Sequence, residues 1–92
     1  MRIDVTQDDI ASGEPGDAIR CPIARAIRRV TGCLSSVGTS HVDLFEANGR
    51  AHDFELPAEA YNFVTEFDHE LPVAPFSFDL PLPEIVINGE IP

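Results

Sequence analysis

The stretch Val42-Asp43-Leu44-Phe45-Glu46-Ala47-Asn48-Gly49-Arg50-Ala51-His52-Asp53-Phe54-Glu55-Leu56 places alternating apolar and charged residues on either side of an Asn-Gly pair, the pattern of a β-hairpin. Its register follows from side-chain parity. A two-residue loop Asn48-Gly49 sets Leu44 opposite Asp53 and Asp43 opposite Phe54, an apolar residue against a charge on both faces. A three-residue loop Ala47-Asn48-Gly49, with Gly49 in the left-handed position of a bulge, sets Val42 opposite Phe54 instead. The bulged form is therefore predicted, and the rest of the chain is read outward from this antiparallel pair.

On the amino-terminal side, Leu34 to Thr39 reads as a loop. Before it, Ile23, Ala26, Ile27 and Val30 recur at helical spacing on one side of a segment whose other side carries Arg25, Arg28 and Arg29. This helix starts near Pro22, where a missing amide costs nothing, and stops at Gly32. Arg2-Ile3-Asp4-Val5-Thr6 alternates as a half-buried strand. Thr6 then caps a short helix whose first turn holds Asp8 and Asp9, with Gly13 expected as its left-handed terminator and 14–17 as a turn. On the carboxy-terminal side, Pro57 opens a helix with Ala60, Phe63, Val64 and Phe67 toward the core and Glu59, Asn62 and Glu66 toward water. Phe76-Ser77-Phe78-Asp79-Leu80 alternates again, and its bracketing prolines indicate an edge strand. The order β-α-α-β-β-α-β implies an α+β fold, a small, mainly antiparallel sheet with helices packed on one face. One domain is expected over residues 1–83. The tail 84–92 contains Ile85, Val86 and Ile87, which would form a further strand or a contact with another copy of the chain.

Composition narrows the function classes. With 92 residues, of which 43% are hydrophobic, the chain supports one core and is not a disordered acidic tail. No apolar run approaches the ~20 residues of a membrane span, and Met1-Arg2-Ile3-Asp4 is not followed by the apolar stretch of a signal peptide, so a cytoplasmic protein is expected. The formal charge of -10 is unevenly placed: residues 1–50 hold all six arginines against seven acids, and residues 51–92 hold nine acids and no base. The second half should repel nucleic acid and anionic membranes and attract a protein with a basic surface, with Glu59, Glu66, Asp68 and Glu70 as its contact residues.

No catalytic motif stands out, and no cofactor or metal is implied. Cys21 and Cys33 bracket a helix that holds them too far apart for a disulfide, so both are expected to be free thiols. Neither forms a closely spaced ligand pair with the histidines for zinc. Cys21 precedes a helix start and follows Arg20, a setting that lowers a thiol pKa and allows a cysteine-dependent enzyme, although no general base is placed. Asp68-His69-Glu70 offers acid and base groups at the end of a helix, where histidine commonly meets the negative dipole end. The strongest grouping is Arg20, Cys21, Arg25, Arg28 and Arg29. Guanidiniums beside free helix amides are the ingredients of an anion site, and the same arginines could instead pair with some of the sixteen acids.

The layout Val5-Thr6, Ile10, Gly13, Cys21-Pro22-Ile23-Ala24 and Pro72-Val73-Ala74-Pro75-Phe76-Ser77-Phe78 resembles short bacteriophage-encoded proteins of no assigned activity, particularly those of GC-rich hosts. The resemblance implies a phage setting, in which proteins of this size often inhibit host or defence proteins or sequester nucleotide signals. The expected function is thus a non-enzymatic accessory binding protein acting through its acidic surface. The alternatives are a nucleotide or other anion binder built on the arginine-bearing helix and, less in keeping with the residues, a cysteine enzyme.

Overall fold

The computed structural model describes residues 1–81. Their elements run β1 (Arg2–Val5), α1 (Gln7–Ser12), α2 (Pro22–Thr31), β2 (Leu34–Val37), β3 (His41–Phe45), β4 (Ala51–Glu55), α3 (Ala58–Asp68) and β5 (Phe76–Asp79). The fold is α+β, and every strand pair among the described residues is antiparallel. The hairpin has the bulged register: Val42 stands opposite Phe54, Glu46 N–H donates to Arg50 O at 2.8 Å, and Gly49 takes φ of 89°. Asn48 Oδ1 accepts from the Arg50 amide, which fixes the turn further.

Two expectations are corrected. Leu34–Val37 is a strand and not part of a loop, because it pairs along its length with β3 and buries Cys33, Ser35 and Val37 at every second position. The described strands also form two small sheets instead of one, ordered β1-β5 and β2-β3-β4. The segment between α1 and α2 meets the outer edge of β2, where its Ala18 carbonyl accepts from the Val37 amide at 2.8 Å, and among the described strands β1 pairs only with β5. The tail expected to add a strand or an intermolecular contact lies outside the described residues.

Helix α2 joins the two sheets. It packs against β1, β2 and α1, and Ile23, Ala26 and Ile27 on its inner face are fully buried. Its end is set by Gly32, whose left-handed φ of 78° lets its amide donate back to Arg28 O. On α3 the expected stripe Ala60, Phe63, Val64 and Phe67 is buried, and the Phe63 ring stacks on Phe76 of β5 with centroids 4.7 Å apart. No helix among the described residues is long and apolar enough to cross a membrane.

Helix α1 starts as its sequence predicts and ends differently. Thr6 and Asp9 form a reciprocal capping box, each side chain accepting from the other's amide. Gly13, expected to be left-handed, is instead extended at φ -75°. What demands glycine there is space: an added Cβ would lie 2.6 Å from Pro22 Cδ and 2.8 Å from Pro22 N. The obstacle includes backbone at the start of α2, which cannot swing aside. Gly13→Ala is therefore expected to destabilise the protein by about 1–3 kcal/mol, read as a lowered urea midpoint with an unchanged slope.

Candidate functional site

The arginine face of α2 forms one wall of a cleft of about 660 Å³. Thr6, Asp8, Asp9 and Ser12 from the α1 region face it, while Glu14, Ile19 and Arg20 supply the outer wall and Leu34 and Ser35 of β2 the remaining side. Amphipathic spacing explains why Arg25, Arg28 and Arg29 meet here. Residues three or four apart share a side of the helix, and its opposite side is committed to the core. Arg20 joins them because Asp17 Oδ1 accepts from the amides of Ile19 and Arg20, folding the segment back at the entrance of α2.

The four guanidiniums differ in state. Arg29 donates to the buried Asp9 carboxylate and to the Asp4 carbonyl, both at 2.5 Å, and is thereby a structural residue. Arg20 is loosely held, with Glu14 and Asp17 each at 3.8 Å and its side chain 72% exposed. Arg25 and Arg28 are exposed and have no hydrogen-bond or ion-pair partner among the described residues. Two of the predicted ligand residues are thus wholly or partly taken up in ion pairs, and two are not. Each arginine ion pair within the described residues uses an acid from the first half of the chain: Asp4, Glu14, Asp17, Asp9 or Glu46.

Cys21, grouped with these arginines from sequence, is placed elsewhere. It is buried against Asp17, Ala18, Val37, Val64 and Asp68 and does not line the cleft. Its thiol pKa is raised, correcting the expectation of a lowered one. Burial pushes it up against the opposing amides of Ala24 and Ile23, and the carboxylates of Asp68 and Asp17 add to the rise. Helix position and a neighbouring arginine predict the reverse only when the sulfur stays open to water. Cys21 is expected to react with a thiol-disulfide reagent near neutral pH far more slowly in the native protein than in urea. Equal rates would contradict its burial. Cys33 is likewise buried and free.

Sequence reasoning missed Ser35, which is 2% exposed and whose Oγ is buried without a hydrogen-bond partner among the described residues. Its backbone adds to the site. Antiparallel ladders turn alternate residues outward. Val37 N–H bonds outward to Ala18, whereas Gly38 N–H bonds inward to His41 O, so the Ser35 amide faces the outer edge as Val37 does. The signal in the sequence was the alternation of Cys33, Ser35 and Val37, obscured because small residues carried it.

The acidic residues of α3 are spread over several surfaces. Glu59 and Glu66 flank an apolar groove lined by Phe63, Val73, Ala74 and Phe76, and neither has a partner among the described residues. Glu70, in the left-handed region at φ 58°, lies beside a second apolar hollow with Ile10, Phe67 and Leu71. Asp68 is used internally, accepting from the Gly16 amide at 3.0 Å. His69 Nδ1 donates to Thr65 O, the helix-end role expected for it. Two further titratable groups occur on the hairpin. His52 Nε2 donates to the buried Glu46 at 2.6 Å, and half-buried Asp43 and exposed Asp53 face each other beside His41. The side-chain contact with Asp53 raises the Asp43 pKa, whereas the contacts with Asp43 and His41 lower that of Asp53. No group of three or more His, Cys, Asp and Glu among the described residues is arranged to hold a metal ion.

Comparison with known proteins gave no match to a family model, a curated protein or a solved structure.

Proposed function

We propose that the chain is a non-enzymatic binding protein that holds an anionic small ligand in the cleft between α1, α2 and β2. The observation that carries this reading is that Arg25 and Arg28 face a single cleft without counter-ions among the described residues. Two adjacent, uncompensated guanidiniums repel one another, and an oxyanion between them removes that repulsion and accepts charge-assisted hydrogen bonds from both. The cleft volume falls within the ~300–1,000 Å³ range of small-ligand sites.

Saturating inorganic phosphate or pyrophosphate should raise the melting temperature. At about a hundred times the dissociation constant the stabilisation is about 2.7 kcal/mol, on the order of 10 °C for a domain of this size. The variant Arg25→Gln/Arg28→Gln should lose the shift while keeping its own melting temperature close to that of the parent, since these side chains hold no partner among the described residues. No shift in the parent chain, or an equal shift in the variant, contradicts the reading.

A second reading, an inhibitor of phage type that docks on a basic protein surface through Glu59, Glu66 and Glu70, is favoured by Glu59 and Glu66, unpaired among the described residues, at the rim of the apolar groove. A labelled oligoarginine peptide should bind more weakly as salt rises and more weakly still to Glu59→Gln/Glu66→Gln. Binding indifferent to both changes rules it out.

A further inference from the structure

We infer that the ligand of the α1–α2–β2 cleft is a phosphate monoester carrying a flat or apolar body, of the nucleoside monophosphate class, an inference that rests on the anion-binding reading above. The polar and apolar parts of the cleft point to the two parts of such a molecule. Ser35 lines the cleft together with Arg25 and Arg28; its buried hydroxyl has no partner among the described residues, and its amide faces the outer edge of β2. A buried hydroxyl left without a hydrogen bond costs about 1–3 kcal/mol, and a phosphate oxygen accepts from that hydroxyl and from a guanidinium fork together.

A bare anion leaves the rest of the cleft uncovered. Ile19 and Leu34 are 58% and 47% exposed, and these two large apolar side chains line the same cleft. Covering them requires carbon, and a ring laid across them meets Arg20, whose loosely held guanidinium has a planar face suited to stacking. Charge sets the limit on phosphates. Asp9 is neutralised by Arg29, but Asp8 and Glu14 also line the cleft. Their carboxylates repel a second or third phosphate and accept hydrogen bonds from hydroxyl or amino groups, which a nucleoside supplies.

Calorimetric titration of the full chain with inorganic phosphate, adenosine, adenosine monophosphate and adenosine triphosphate tests the assignment. The monophosphate should bind at least about tenfold more tightly than phosphate, adenosine or the triphosphate. Ser35→Ala should weaken phosphate and the monophosphate alike. Ile19→Ser/Leu34→Ser should bring the monophosphate down to the affinity of phosphate without changing phosphate itself. Phosphate binding as tightly as the monophosphate overturns the ester assignment and leaves the anion site standing. Triphosphate binding most tightly overturns the charge limit and with it the monophosphate class. Binding of none of the four overturns both the inference and the reading beneath it.

Discussion

Ile27→Ala is expected to cost about 3–4 kcal/mol of folding free energy, the largest loss from any single side chain considered. Ile27 is 0% exposed at the centre of α2, the helix that contacts both sheets and α1. Removing its outer carbons forfeits their transfer out of water and leaves a void that cannot close, since β1 and β2 are each held by their own ladder partners. Domains of this size have about 5–15 kcal/mol to lose in total. Urea unfolding followed by far-ultraviolet circular dichroism should show the midpoint falling by about a fifth or more. A drop below about 1 kcal/mol would mean that Ile27 is not the hinge of the packing.

The second large effect is electrostatic. Asp9→Ala should cost about 2–3 kcal/mol, because one carboxylate closes the capping box with Thr6 and neutralises Arg29. The cost stays below that of breaking a fully enclosed pair, as the Arg29 side chain is 45% exposed and recovers water. The same site sets part of the acid limb of stability. Burial pushes the Asp9 carboxyl up, but Arg29 and the Thr6 amide and hydroxyl outweigh it, and the net pKa lies below the ordinary 3.8. A carboxyl depressed by folding stabilises above its unfolded value, and that contribution is lost as pH falls through the folded value. Between about pH 7 and about pH 3, wild type should therefore lose more stability than Asp9→Asn. Asp4, lowered by Ser77 and Arg2, acts in the same direction and leaves the variant some residual slope. Asp43, raised by Asp53, acts in the opposite sense: its contribution is present at low pH and lost as pH rises. Equal acid slopes in wild type and Asp9→Asn would contradict the assignment.

Most of the architecture was legible because local rules and tertiary packing agree in it. Parity alone fixed the 42–56 register, and spacing alone fixed which faces of α2 and α3 are buried. The failures share a different origin. Leu34–Val37 hid its alternation behind two serines, whose β-preference comes from the neighbouring β3 and not from themselves. A left-handed Gly13 follows from local backbone rules, whereas the reason for glycine there is the approach of Pro22 in space. For Cys21, helix position and a neighbouring arginine predict a lowered thiol pKa, and burial reverses the sign.

The candidate site was half visible for the same reason. Helical spacing gathers Arg25, Arg28 and Arg29 on one face without any tertiary knowledge. Deciding which of them is bound requires knowing that Asp9 of α1 reaches Arg29 and that the acids of α3 do not reach Arg25 or Arg28. Ser35, Ile19 and Leu34 belong to the cleft only because the segment before α2 folds against the rim of β2, a long-range arrangement on which periodicity is silent.

That arrangement links two properties of the molecule that are usually separate. A strand rim left open serves as a template for the backbone of another chain, and proteins guard such rims against aggregation. Along β2 the guard is the Ala18 carbonyl on Val37, and the residues next to Ala18 are Ile19 and Arg20, the outer wall of the cleft. Loosening that wall frees the backbone rim beside Leu34, so protection of the strand edge and the shape of the cleft depend on one stretch of main chain.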